Sequence, residues 1–170
     1  MKKIILLLVL TLVSCAGIPE GVTPAGDFDL HRYLGRWHEI ARLDHSFERG
    51  LSQVTAEYSL NPDGSVRVVN RGFSESENKW KQAEGRAVFV NRPDQGYLQV
   101  SFFGPFYGSY VVIDLDRENY SWAMVCGPDR SYLWILARSP SLDDAVVRQL
   151  TAKASALGFN TDALIFVHHD

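Results

Sequence analysis

Val54-Thr55-Ala56-Glu57-Tyr58-Ser59-Leu60-Asn61-Pro62-Asp63-Gly64-Ser65-Val66-Arg67-Val68-Val69-Asn70-Arg71 carries the pattern that decides the fold class. Val54, Ala56 and Tyr58 alternate with Thr55, Glu57 and Ser59; Val66, Val68 and Asn70 alternate with Arg67, Val69 and Arg71. Successive side chains of a strand point to opposite faces, so period-two alternation marks strands with one face turned inward. Asn61-Pro62-Asp63-Gly64 between the two runs is turn chemistry: proline presets its own φ, and glycine takes up a conformation closed to other residues. The stretch is a β-hairpin.

The same pattern recurs on both sides. Trp37 to Arg42 precedes the hairpin as a strand candidate. Gly85 to Val90 follows it, then a turn over Asn91 to Gly96, then Leu98, Val100 and Phe102 alternating with Gln99 and Ser101. Gly104-Pro105 breaks that run, and Tyr110 to Leu115 begins another. A turn over Asp116 to Asn119 leads to a strand over Tyr120 to Cys126, and Gly127-Pro128-Asp129 leads to a last one over Tyr132 to Arg138. Beyond them, Leu142, Val146, Leu150, Ala154 and Leu157 recur at helical spacing, with Ser141 as N-cap candidate, Asp143 and Asp144 in the first turn and Gly158 as the stop. Leu164 to Val167 reads as a short closing strand. Eight short strands in consecutive hairpins and one helix predict an all-β, eight-stranded antiparallel up-and-down β-barrel with the C-terminal α-helix packed outside. A two-sheet sandwich gives a similar pattern. An eight-stranded barrel has an interior wide enough for one small ligand.

Composition narrows the function. The chain has 170 residues, 46% of them apolar and 22% charged, enough for one domain with a sizeable core. The net charge of −3 leaves no basic surplus to hold phosphates, so nucleic acid is excluded as a partner.

Lys2 and Lys3 followed by the apolar run Ile4 to Val13 make the opening of a secretory signal, too short to span a membrane. Leu12-Val13-Ser14-Cys15 resembles the bacterial lipobox, in which the chain is cut before the cysteine, and the cysteine is then acylated. Each buried methylene adds about 0.8 kcal/mol of membrane affinity, so two or three acyl chains anchor a protein firmly. Ala16 after the cysteine implies sorting to the outer membrane, where Asp in the resembled pattern would retain the protein at the inner one. The organisation that follows is residues 1–14 as a removed lipoprotein signal peptide, 15–27 as lipidated N-terminus and flexible tether (Pro19, Gly21, Pro24 and Gly26 fall here), and 28–170 as the barrel domain. With Cys15 acylated, Cys126 is the one thiol left and no internal disulfide forms.

Three motifs then fall in order. Tyr33-Leu34-Gly35-Arg36-Trp37-His38-Glu39-Ile40-Ala41 holds a Gly-x-Trp, Asp116 and Tyr120 follow the sixth strand, and Trp134-Ile135-Leu136-Ala137-Arg138 ends in arginine. The chain thereby resembles the lipocalin family, with a partial match at the second motif, where Leu115 and Arg117 depart from the usual residues. Phe47-Glu48-Arg49-Gly50, Tyr58-Ser59-Leu60, Ser101 to Gly108 and Val125-Cys126-Gly127-Pro128-Asp129-Arg130 look like one branch of it, the bacterial outer-membrane lipoprotein lipocalins, with apolipoprotein D as an animal relative.

The residues themselves support structural roles at the barrel base. Gly35 lets the chain bend closely into the first strand. Trp37 is large enough to plug a narrow barrel end, and Arg138 either lies across it as a cation–π lid, as the resemblance implies, or pairs with a ligand carboxylate. Tyr58 and Trp134 are the leading ligand-cavity candidates, and Asn70, Phe102, Tyr110 and Leu136 share inward parity; the alternative for each is a filled core. Phe103, Phe106 and Tyr107 either rim the mouth, meet a membrane, form a dimer interface or pack under their loop. Enzymatic constellations are poor. Asp44-His45-Ser46 has the letters of a triad, but triad residues converge from separate segments. His31, His38, His45, His168 and His169 have no metal-ligand spacing. Neither catalytic residue, metal nor cofactor is expected.

The resemblance implies non-catalytic binding of fatty acids or lysophospholipids, stored or carried at the outer membrane by a protein attached through its N-terminal lipid, with homodimerisation left open. The alternatives are a lipocalin-type enzyme acting on a lipid and a structural envelope lipoprotein with a filled barrel. Cys15→Ser is expected to abolish incorporation of labelled palmitate and to leave an uncleaved precursor or a released soluble protein. Label that still enters the variant would refute the lipobox reading.

Overall fold

The structure, a computed structural model, describes residues 17–170; the signal segment and Cys15 lie outside the described residues. A short helix α1 (Leu30–Tyr33) precedes strands β1 (Gly35–Arg42), β2 (Leu51–Leu60), β3 (Val66–Ser74), β4 (Lys79–Phe89), β5 (Tyr97–Phe103), β6 (Phe106–Leu115), β7 (Trp122–Cys126) and β8 (Leu133–Ala137). Helix α2 (Asp144–Ala156) and a two-residue strand β9 (Ile165–Phe166) complete the chain.

Strands β2 to β8 pair antiparallel in sequence order, and β1 pairs with both β8 and β2. The sheet therefore closes, which selects the barrel over the sandwich. Strand β1 meets β2 only from Gly35, opposite Tyr58, to His38, opposite Thr55. Beyond that the two diverge, and β9 takes the freed edge of β1 at Ala41 and Arg42.

Alternation sorts the side chains into two apolar layers. Trp37, Val66, Val68, Leu98, Val112, Ala123, Val125 and Leu136 form the inner cluster. Val111, Met124, Cys126, Leu133, Ile135 and Ala137 face outward and are covered by Leu150 and Ala154 of α2. Full burial of one such aliphatic side chain contributes about 1.5–3 kcal/mol, which is why one amphipathic helix suffices to hold that face.

Several boundaries differ from the sequence reading, each for a local reason. Helix α2 starts at Asp144: Asp143, not Ser141, is the N-cap, its side chain accepting from the backbone N–H of Ala145 at 2.8 Å. Strand β7 starts at Trp122, not Tyr120, because Tyr120 has φ +53°. Asp116 holds that turn by accepting from the backbone N–H groups of Glu118, Asn119 and Ser121. Strand β4 begins at Lys79 rather than Gly85; its first half is exposed on both faces and is held by an unbroken register with β3. The stretch expected as a flexible tether is docked from Gly17 onward. Ala25 donates to Val112 O at 2.8 Å and accepts from Gly96 N at 2.8 Å, Gly17 N–H donates to Ser109 Oγ at 2.9 Å, and Val22 is buried.

The base is sealed by one side chain and its cover. Trp37 is 0% exposed and donates from Nε1 to Tyr33 O at 2.8 Å. The Arg138 guanidinium lies 3.9 Å from the centre of the Trp37 ring and donates to the carbonyls of Arg36, Arg32 and Tyr120. Gly35 has φ +95°, which strains any other residue. Trp37→Ala is expected to lower unfolding free energy by about 3–5 kcal/mol and Arg138→Ala by less. In denaturant titrations the double variant should lose less than the two single losses combined; additive losses would mean the rings and guanidinium do not couple.

Candidate functional site

Between the base and the opposite end lies a cavity of about 520 Å³. The loops joining β1 to β2, β5 to β6 and β7 to β8 surround its mouth, and α1 with Trp37 closes its floor. Its far wall is aliphatic, with Val54, Ala56, Val66, Val68, Ala87, Leu98 and Val100.

All six sequence-derived cavity candidates line it: Tyr58 from β2, Asn70 from β3, Phe102 from β5, Tyr110 from β6, and Trp134 and Leu136 from β8. The base residues Gly35, Trp37 and Arg138 sit together below it and do not line it. The geometry selects the cation–π lid for Arg138. Phe28 and Tyr33 also line the cavity, brought in by the segment before β1, which no strand pattern announced.

Three tyrosines meet at the floor. Tyr110 Oη lies 2.7 Å from Tyr33 Oη and 2.8 Å from Tyr58 Oη. Burial is the first cause that raises the pKa of each, so all three stay protonated and present O–H groups. Asn70 Oδ1 is buried without a hydrogen-bond partner.

The wall formed by β1, β8 and the β1–β2 loop is charged. Glu39, Arg42, His45 and Glu48 are each at most 6% exposed. Arg42 pairs with Glu39 at 2.7 Å and donates to Glu48 O at 3.0 Å. Trp134 Nε1 donates to Glu48 Oε2 at 3.1 Å, and His45 Nε2 lies 3.4 Å from the same oxygen. Burial, and then the Glu48 charge, hold the Glu39 carboxyl well above the usual range against the opposing pull of Arg42. Burial also raises Glu48, with Trp134 and Arg42 opposing. Burial, followed by the Arg42 charge, lowers His45 to about 4, so its ring is neutral. Sequence reading did not find this corner. Its one legible signal is parity: Glu39 stands two residues from Trp37 on β1 and so faces inward.

Aromatic rings ring the mouth. Phe103 is 82% exposed, Phe106 70% and Phe47 59%, so these side chains are not packed beneath their loops. Asp44, His45 and Ser46 diverge: Asp44 is held by Arg49 at 2.7 Å, His45 turns inward against Phe47, and Ser46 is exposed. Among the described residues no group of three or more His, Cys, Asp or Glu is placed to hold a metal. Cys126 is 0% exposed on the outer face of β7, and burial pushes its thiol up to about 12.

Comparison with known proteins agrees with this geometry. The model of the lipocalin-like domain matches residues 28–169. The chain is 55% identical over 168 residues to the outer membrane lipoprotein Blc of Vibrio cholerae, covering 98% of both chains. It is 54% identical to the protein of the same name from Escherichia coli, over 88% of this chain and 84% of the relative. Bovine apolipoprotein D is 35% identical over 73% of this chain and 68% of its own. Insecticyanin of the tobacco hornworm Manduca sexta superposes with a TM-score of 0.71 at 26% identity, covering 91% of this chain and 87% of that one.

Proposed function

The chain belongs to the lipocalin-like family, and we propose that this member holds the acyl chain of a fatty acid or lysophospholipid in its barrel, without catalysis, while acylated Cys15 keeps it at the outer membrane. The observation that carries this reading is the open cavity of about 520 Å³ with an aliphatic wall. Each methylene moved from water to that wall contributes about 0.8 kcal/mol. The space also weighs against a filled structural barrel. Storage or carriage of lipid in the envelope is the role that fits a binding cavity on an anchored body.

Tryptophan fluorescence reads the binding directly. Trp134 lines the cavity; Trp37 is sealed beneath it, Trp122 packs in the outer cluster under α2, and Trp80 is exposed beneath Arg71. Added fatty acid should change the emission, and Trp134→Phe should remove most of the change. Affinity should rise with chain length until the cavity is full and then fall. Tyr58→Ala should weaken binding and leave a cooperative unfolding transition. Failure of fatty acid and lysophospholipid alike to bind the delipidated protein would overturn the carrier reading.

A further inference from the structure

A second concavity lies on the outside of the barrel. Helix α2 covers the outer face of β6, β7 and β8, whereas that of β2, β3 and β4 carries no helix. Strand parity turns His38, Thr55, Arg71 and Gln82 outward, and the register sets them in one row across four strands: His38 opposite Thr55, Thr55 opposite Arg71, Arg71 opposite Gln82. Trp80 stands beside the end of that row, two residues before Gln82 on β4, with the Phe73 ring edge-on at 5.5 Å. The chain beyond β9 forms the opposite rim. Val167 N–H donates to Ile40 O at 3.0 Å, Gln53 N–H donates to His168 O at 2.8 Å, and Gln53 Nε2 donates to Asp170 Oδ2 at 2.5 Å. Gln53 takes φ +50° at the bulge of β2, a conformation that residues with a side chain rarely adopt, and it is held there by the tail. The groove between the two rims encloses about 320 Å³.

Its chemistry differs from that of the barrel interior. Arg36, Arg71, Glu57 and Asp170 bring two charges of each sign, and His38 is a neutral ring, its pKa lowered by burial first and then by His169 and Arg36. A ligand with net charge of either sign meets repulsion there as well as attraction. Among the described residues the Arg71 guanidinium has no hydrogen-bond or ion-pair partner; it lies 4.1 Å from the centre of the Trp80 ring, which is still 45% exposed. The groove thus offers donors and acceptors together, no net charge and one open indole. That combination suits a ligand whose hydroxyls both donate and accept and whose ring has an apolar C–H face. A sugar ring has both properties.

We propose that this groove binds a neutral pyranose saccharide, with Trp80 against the C–H face of one ring and Arg71, Gln82 and Thr55 hydrogen-bonded to its hydroxyls. The sheet itself separates the groove from the barrel interior, so the proposal stands apart from the acyl-chain reading. A protein held at the outer membrane meets such rings in free oligosaccharides and in the glycan polymer of the cell wall, and the two sources are separated by experiment.

Four tetrasaccharides of one length isolate the charge: neutral maltotetraose and chitotetraose, anionic tetragalacturonate and cationic tetraglucosamine, each titrated at pH 7 by saturation-transfer NMR and by tryptophan emission. At least one neutral sugar is expected to bind more tightly than either charged one. Trp80→Phe should remove the change in emission, and Trp134→Phe should leave it intact, the reverse of what fatty acid does. Trp80→Ala, Arg71→Ala and, independently, Gln82→Ala should each weaken binding at least about fivefold, the loss of one such contact, with a cooperative unfolding transition retained. Sedimentation with insoluble cell-wall glycan would assign the polymer as source, and binding of soluble sugar alone would assign the free oligosaccharide. Failure of both neutral sugars to bind, tighter binding of a charged one, or affinity unchanged by all three alanine variants would overturn the proposal. Failure of fatty acid to bind would refute the acyl-chain cavity and leave the groove standing.

Discussion

One strand must satisfy two neighbours at once. Strand β1 carries backbone hydrogen bonds to β8 on one edge and to β2, then β9, on the other. Without that double duty the sheet would have two free edges and no enclosed space. Closure at the first four residues of β1 brings Gly35, Trp37, Tyr33 and Arg138 to one end, where the guanidinium caps the indole and ties three carbonyls from separate segments. The divergence of β1 from β2 beyond His38 lets the loop 43–50 fold inward and carry His45 and Glu48 to the wall. The seal at one end and the polar corner near the other thus follow from a single pairing constraint.

The interior is consequently asymmetric. The wall from β2 to β5 is mostly aliphatic, broken by Tyr58, Asn70 and Phe102. The wall from β1 and β8 contains charge that a hydrocarbon core would not tolerate unless paired. Arg42 donates from its two terminal nitrogens to the Glu39 carboxyl and to the carbonyls of Glu48 and Leu51, which ties the loop to β1 beside Glu39. One side of the cavity thus offers mainly apolar contact, and the other carries the charge.

Much of this was legible in the chain and some was not. The alternation around Asn61-Pro62-Asp63-Gly64 gave strands with the correct inward face, and the same parity put Tyr58, Asn70, Phe102, Tyr110, Trp134 and Leu136 on the cavity wall. The helix was legible from its apolar spacing, but Ser141 and Asp143 are both capping residue types, and only the fold chooses between them. The first half of β4 was invisible because it is polar on both faces, so hydrogen bonding to β3 rather than burial holds it. Pro19, Gly21, Pro24 and Gly26 suggest a loose segment, yet the backbone bonds of Ala25 with Val112 and Gly96 strap it down, and composition carries no trace of such long-range bonds. Glu48 lies outside every alternating run of the sequence. It is a loop residue, and strand parity has nothing to say about where a loop folds.

The hydroxyl chain at the floor has a consequence for how deep a ligand goes. Tyr33, Tyr110 and Tyr58 share two hydrogen bonds but own three protons. Whichever way the chain is oriented, one O–H is left over, and reorienting the hydroxyls moves it from ring to ring without shifting a heavy atom. A methyl terminus pressed against that floor would strand the proton in a dry space, at a cost of about 1–3 kcal/mol. A bound water or a polar ligand atom would not. The bottom of the barrel is therefore a chemical stop: any hydrocarbon tail that entered would halt above the tyrosines, before contact with the Trp37 ring.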